Sequence, residues 1–260
     1  MKKPTIFVSI LALFAFAGCT IDAGDPITQS FSVSGAYTDL SVEDAFDVTV
    51  SDSVNQVVIT AGDNIMPYVI VKESGKSLQI YIKGWRSSSG TKLKAVLPYN
   101  AALAKVDLSG ASSFCTAYGL SAADVELDIS GASDFVGDIK ATEAELDLSG
   151  ASSFNGQVTA TELHLDMSGS SDATVAGQVA GLDLEVSGAS TIVQNVLDGK
   201  YSLSCDVCTG SLSGASTAYL HSDGSIRVSL SGGSKLHYTG NAATSGCSTS
   251  GSSNVVHDVF

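Results

Sequence analysis

The sequence predicts an all-β fold, most of it a parallel β-helix (solenoid) of about 19 residues per coil, and three observations carry that prediction. First, variants of Leu-Asp-Leu-Ser-Gly-Ala-Ser recur, with the glycine at 110, 131, 150, 169, 188, 214, 232 and 251, at spacings of 21, 19, 19, 19, 26, 18 and 19. Second, apolar and polar residues alternate on the approach to each glycine. Val125, Leu127 and Ile129 occupy the apolar positions in one copy, Ala144, Leu146 and Leu148 in the next, then Leu163, Leu165 and Met167. Period two with one apolar face marks a half-buried strand. Third, 26 Gly against 4 Pro in 260 residues suits many short strands joined by tight turns. One such unit cannot fold alone. Ordering a residue's backbone costs about 1–2 kcal/mol, and the roughly six inward side chains of a unit return about 1.5–3 kcal/mol each. Stacking on neighbours supplies the missing hydrogen bonds and packing. Leucine-rich repeats would need an Asn/Cys ladder and calcium-binding nonapeptides a Gly-Gly-x-Gly-x-Asp pattern; both are absent. The general chirality of parallel crossovers favours right-handed coiling.

Taken in order, the chain opens with Lys2 and Lys3, an apolar run over 6–17, and Ala17-Gly18-Cys19. A basic start, a short apolar stretch and small residues before the cut describe a secretory signal over residues 1–18. The stretch is too short to span a bilayer comfortably. The residues before the cysteine resemble a bacterial lipobox, which makes Cys19 the expected lipidation site and the lipid anchor the expected membrane partner. Asp22 and Asp25 follow, similar to the acidic surface-export signal of Bacteroidetes lipoproteins. Residues 19–30 are expected to be a flexible lipidated tether. Localisation is therefore read as an outer-membrane lipoprotein, with display at the cell surface as the further expectation.

Composition narrows the partners. Lys+Arg is 13 and Asp+Glu is 27, a formal charge of −14. Nucleic acid is excluded as a partner, because phosphate binding needs clustered cations. Charge-driven docking on anionic headgroups is disfavoured for the same reason.

Residues 31–100 alternate without the 19-residue period and are expected to form a β-rich N-terminal capping region ahead of repeats over 101–255 and a short tail over 256–260. Here Phe46-Asp47-Val48-Thr49-Val50, Val57-Val58-Ile59-Thr60-Ala61-Gly62-Asp63-Asn64, Ser77-Leu78-Gln79-Ile80-Tyr81-Ile82, Val96-Leu97-Pro98-Tyr99 and Leu108-Ser109-Gly110-Ala111-Ser112 follow one another in an order that resembles the head GIN domain family of auto-transporter adhesins. The resemblance covers roughly residues 35–255. It implies a β-helical, secreted or lipid-anchored protein of a type common in Bacteroidetes, and it carries no catalytic residues over. No run of amphipathic membrane strands follows the repeat, so the sequence is not expected to build its own barrel.

Within the repeat, the Gly-Ala-Ser step is expected where each coil turns, glycine permitting the backbone angles and the serine before it forming a hydrogen-bond ladder. Asp107, Asp128, Asp147, Asp166 and Glu185 share one outward position, and Glu126, Glu145 and Asp183 the neighbouring one. Stacked about 4.8 Å apart, unit charges repel by roughly 1 kcal/mol in water. Such a column is either a solvated face that discourages edge pairing or a cation-binding row. Ca²⁺ would then be the one cofactor to consider, because it takes several carboxylates; otherwise no cofactor is expected. The 26-residue spacing marks an insertion around 194–205, expected to be a loop, and Cys205-Asp206-Val207-Cys208 is a candidate structural or local disulfide in that loop, in an oxidising compartment. Zinc would need two more ligands at finger spacing. His164, His221, His237 and His257 share no repeat position, and no metal site is predicted. Trp85, in the loop over 84–90, and Tyr81 beside it are the candidate glycan contact, since exposed loop aromatics stack on sugar rings.

Two functions compete at this stage. One is a non-catalytic, lipid-anchored envelope protein, an adhesin-like β-helix that binds a glycan or another host or cell-surface ligand, or serves as a scaffold. The alternative is a polysaccharide-active lyase or hydrolase. A polyuronate lyase needs clustered cations, and the repeat has only scattered Lys105, Lys140, Lys200, Arg227 and Lys235. A hydrolase needs two carboxylates in a cleft, and the acidic column offers carboxylates on a regular face.

Overall fold

The computed structural model describes residues 21–84, 88–89, 92–197 and 199–260. These form a 22-stranded mixed sheet and two two-stranded sheets, with a single 3-10 turn at Met66–Tyr68 and no α-helix among the described residues. The all-β expectation holds.

Pairing follows the repeat. Lys105–Leu108 pairs in parallel with Asp124–Ile129, that strand with Glu143–Leu148, and that one with the long strand Ser153–Met167, whose own neighbour is Asp172–Val186. The register is residue for residue, so Val106, Leu127, Leu146, Leu165 and Leu184 make one buried column. A second column runs Val48, Phe114, Phe135, Phe154, Ala173, Ile192. Its three phenylalanines stack with centroids 5.4 and 5.6 Å apart and planes 14° and 8° from parallel. Burial of these alternating side chains is the main stabilising term; every core position in both columns is at most 1% exposed.

Between the two strands of each repeat sits the glycine, with φ between +71° and +80° in all eight copies. A Cβ on Gly169 would lie 2.4 Å from the carbonyl oxygen of Gly150. That same oxygen accepts the Ser170 N–H at 2.7 Å. Glycine is thus required twice, for its backbone angle and for the close approach of the next turn. The serine expectation needs correcting. The serine two residues after each glycine, from Ser112 to Ser253, is the buried one. Its hydroxyl donates to the carbonyl three residues back: Ser171 to Ser168 at 2.9 Å, Ser234 to Ser231 at 3.0 Å, Ser253 to Ser250 at 2.7 Å. The serine before the glycine supplies the accepting carbonyl, and its own hydroxyl makes longer bonds, as Ser130 to Leu108 O at 3.3 Å.

Residues 31–100 join the ladder of the repeat. Asp39–Val42 and Phe46–Ser51 pair in parallel with Lys105–Leu108 and Ser113–Cys115 on one side, and with Ser77–Ile82 and Leu93–Pro98 on the other. Asp44 stacks under Gly110 and, with Ala45, adopts φ of 66° and 67°. The glycine that flags every other copy is replaced there, so the copy is invisible to a glycine count. Antiparallel pairs complete this end: Val69–Ser74 with Ser77–Ile82, Val57–Gly62 with Leu93–Pro98, and Pro26–Phe31 with Val57–Gly62. Most of Pro26–Phe31 falls within the expected flexible tether; the structure makes it a strand.

The other end also differs from expectation. The insertion carries a short antiparallel pair, Val196–Leu197 with Lys200–Tyr201. Asn254–His257 pairs with Lys235–Thr239, and the residues after it are not a free tail. Tyr201 donates its hydroxyl to Asp258, whose carboxylate also accepts from His237 Nδ1 at 2.9 Å. Phe260 sets its ring edge-on to Tyr201 at 5.6 Å.

Candidate functional site

Two neighbouring turns bring Tyr99 and Tyr118 together on the surface. Pro98 ends the strand Leu93–Pro98, because it has no N–H to continue the ladder. The Tyr99 N–H still reaches Ser51 O at 2.9 Å, and the Tyr99 side chain turns outward. Tyr118 follows the strand Ser113–Cys115 in a tight turn: Thr116 Oγ1 accepts the Tyr118 N–H at 3.2 Å, and Gly119 has φ of +68°. The rings lie 4.7 Å apart at 33° to one another, with the residues 46% and 43% exposed. Tyr118 OH accepts the Asp52 N–H at 3.2 Å, which fixes that ring against the turn after Phe46–Ser51. Ser51 and Ser53 share a hydroxyl–hydroxyl bond of 2.7 Å beside it. Behind the pair is a small cavity of about 10 Å³, room for about one water, lined by Val50, Leu97, Asn100, Phe114 and Thr116 among others. Asn100 is held by donating to Tyr37 O at 2.6 Å and accepting from Ala102 N–H at 2.9 Å. Burial pushes the Tyr37 hydroxyl's pKa up. The arrangement offers an amphipathic aromatic surface rimmed by hydroxyl, amide and carboxylate groups. It contains no nucleophile–base pair.

The residues singled out from sequence fare differently. Cys19 and Trp85 lie outside the described residues. Tyr81 is half-buried on Ser77–Ile82, opposite Ile70, and is remote in register from the tyrosine pair. The acidic row is real as a row. Asp107, Asp128, Asp147, Asp166 and Glu185 are consecutive partners in the parallel ladder. Burial first, and then the charge of Asp128, pushes the Asp107 carboxyl above its usual pKa; Asp147 is raised by burial and by Glu145 and Asp166. Lys105 forms an ion pair with Glu126 at one end of the neighbouring column. His164 sits between Glu143 and Asp183 at 3.6 and 3.7 Å. Among the described residues, no three acidic, histidine or cysteine side chains converge closely enough to hold one metal ion. The carboxylates are spread along a face and do not form a cage.

Cys205 and Cys208 are not in a loop. They lie within the strand Leu203–Leu212, both buried, and both are free thiols. The interaction of the two thiols, and then burial, pushes the Cys208 thiol's pKa up, while the same interaction holds Cys205 down. Cys115 is exposed.

Sequence reasoning missed the tyrosine pair, because Tyr99 and Tyr118 come together only across the strand Phe46–Ser51, which pairs with Leu93–Pro98 on one side and Ser113–Cys115 on the other. Tyr99 directly after Pro98 was the one local signal, since the residue after such a stop leaves the ladder.

The comparisons with known proteins bear on the whole chain. A putative adhesin from Parabacteroides merdae has a similar solved structure, with TM-score 0.81, 17% identity, and coverage of 91% of this chain and 98% of that one. A "putative lipid binding protein" from Parabacteroides distasonis superposes with TM-score 0.78 at 18% identity, covering 92% and 99%. A putative adhesin from Bacteroides fragilis gives TM-score 0.62 at 16% identity, covering 91% and 97%. At these identities the likeness is one of fold. No curated relative matches the sequence. The family described as "Putative auto-transporter adhesin, head GIN domain" matches residues 36–242, from the first parallel unit to the last long strand pair and beyond, and to that family the chain belongs.

Proposed function

We propose that the protein is a non-catalytic, lipid-anchored component of the cell envelope, an adhesin-like parallel β-helix that presents a glycan-contacting surface outside the outer membrane. Residues 1–18 direct export, Cys19 carries the lipid, and the ladder of in-register units is the wall of a right-handed coil. The reading is supported by family membership over residues 36–242 and by the repeated parallel offset. The observation that carries the binding function is the exposed Tyr99–Tyr118 pair. An aromatic ring offers a sugar a flat apolar face, and the polar groups at its rim, Asp52 and Ser53 here, meet the hydroxyls. Alternative chemistry on polysaccharide would need carboxylates gathered in a cleft, and the acidic row stands on a regular face.

The direct test is a glycan-array screen of the chain lacking residues 1–19. Binding to a defined glycan class is expected. A double substitution, Y99A with Y118A, should lower it at least tenfold, taking the about 1–3 kcal/mol of a base stacked on an aromatic as the scale for a flat ligand face, while leaving thermal unfolding nearly unchanged. A blank array for the unsubstituted protein would leave a scaffold role in place of the binding one. Surface display is read separately: external protease should remove the protein from intact cells, and C19S should release it from the membrane fraction.

A further inference from the structure

The strand Leu203–Leu212 bends where Asp172–Val186 bends beside it, and the two stay in register through the bend. In a regular strand, residues three apart point to opposite faces. Cys205 and Cys208 nevertheless both point into the core, at 2% and 0% exposure, while Asp206 and Val207 between them are both exposed. The reason is a bend. The parallel register with Thr217–Leu230 shifts between Cys205 and Val207, so that Cys205 faces Ser222 and Cys208 faces Ile226. On the other side the same two positions face Val179 and Leu182, both buried. The bend therefore sets two inward side chains side by side in each of these units. In the preceding unit they are an apolar pair, packed for volume. In this one both are thiols in mutual contact. A third cysteine, Cys247, lies two units further and is occupied in donating to Ile226 O at 3.4 Å.

We propose that Cys205 and Cys208 close an intramolecular disulfide across this bend, a staple at the point where the chain returns to the ladder after the insertion. The insertion makes the widest spacing in the repeat, 26 residues against 18 to 21 elsewhere. The staple fixes the re-entry angle that aligns Leu203–Leu212 on Asp172–Val186. The chemistry balances with an external disulfide as oxidant. The thiolate of one cysteine attacks the donor disulfide and releases one donor thiolate. The second cysteine attacks the mixed disulfide and releases the other. Two cysteine protons are lost, two electrons pass to the donor, and one S–S bond replaces another. Because both sulfurs are sealed in the folded core, exchange takes place before that part of the ladder closes. In the cell this rests on the export proposed above, which delivers the chain to an oxidising compartment; the bond itself is testable without it.

The full chain is unfolded under reducing conditions and refolded in a buffer of oxidised and reduced glutathione. It is then denatured without reductant, alkylated, and cleaved after lysine and arginine. The expected product is a peptide over residues 201–227 that is two hydrogens lighter than its reduced form and unalkylated at both cysteines, with Cys115 and Cys247 alkylated. The same peptide is expected from C247S. Alkylation of both Cys205 and Cys208, or a cross-link from either one to Cys247, would overturn the proposal. If the refolded protein carries the bond while material from the cell envelope does not, the export reading fails and the disulfide stands.

Discussion

At the scale of single residues, the stacked glycines stand hard against the neighbouring turn: a Cβ on any of the seven from Gly131 to Gly251 would lie 2.3–2.6 Å from the preceding glycine's carbonyl oxygen. Each one's missing side chain is the space in which the next turn's backbone hydrogen bond is made. For G169A, a left-handed backbone angle costs an alanine about 1–2 kcal/mol, and the methyl must also displace the Gly150 carbonyl from 2.4 Å. A loss of about 2–4 kcal/mol is expected, seen as a lower urea midpoint. A change under 1 kcal/mol would show that the turn relaxes freely. Asp147 makes the opposite case. Its carboxyl is raised by burial and by Glu145 and Asp166, so the folded chain holds its proton more tightly than the unfolded one. The contribution of such a group to stability is full below the ordinary aspartate pKa and is lost as pH rises through the raised value. D147N should therefore be more stable than the unsubstituted protein at pH 7, by about 0.2–1 kcal/mol, with the gap closing toward pH 4. Equal urea midpoints at both pH values would contradict this.

At the scale of elements, the C-terminal strand is held by a clasp as well as by its ladder. Asp258 accepts from Tyr201, on the insertion hairpin, and from His237, on the strand beneath. Burial opposes ionisation of Asp258, but these hydrogen bonds outweigh it and hold the carboxyl below its usual range. Here the sign reverses: the stabilisation is present above the ordinary carboxylate pKa and is lost as pH falls through the lowered one. D258N should cost about 1–2 kcal/mol near neutral pH and nearly nothing in strong acid, read as thermal midpoints at the two ends. The clasp also shows what a sequence conceals. Strands with strict alternation, such as Asp124–Ile129 and Glu143–Leu148, were legible because their period and their burial coincide. The pairs Tyr201–Asp258 and Tyr99–Tyr118 were not, since neither residue's local pattern names its partner. The first parallel unit was hidden by Asp44–Ala45 in place of Gly-Ala. Cys205 and Cys208 were legible as a pair, yet their place inside a strand was not, because a bend that turns two residues outward leaves no mark in hydrophobicity.

At the scale of the whole molecule, the repeat makes units interchangeable, and this gives a strong test. Asp-Leu-Ser-Gly-Ala-Ser-Ser-Phe occurs at 107–114 and again at 147–154. Excising residues 107–146 removes 147 − 107 = 40 residues, two units, and joins Val106 to Asp147 with every inward and outward position kept. Val106 then takes the place of Leu146 beneath Leu165. The shortened chain is expected to fold, with an unchanged β-type circular dichroism spectrum and a lower thermal midpoint. Failure to fold would mean that the units are individually fitted to their neighbours. The octapeptide has a consequence for inheritance as well. Near-identical coding stretches in tandem invite slippage or unequal exchange, and a crossover between these two returns an in-frame product whose joints still fit. Copy number can then drift between generations, each unit lengthening or shortening the ladder by about 4.8 Å. Selection thus acts on the length of the ladder without remaking the units that compose it.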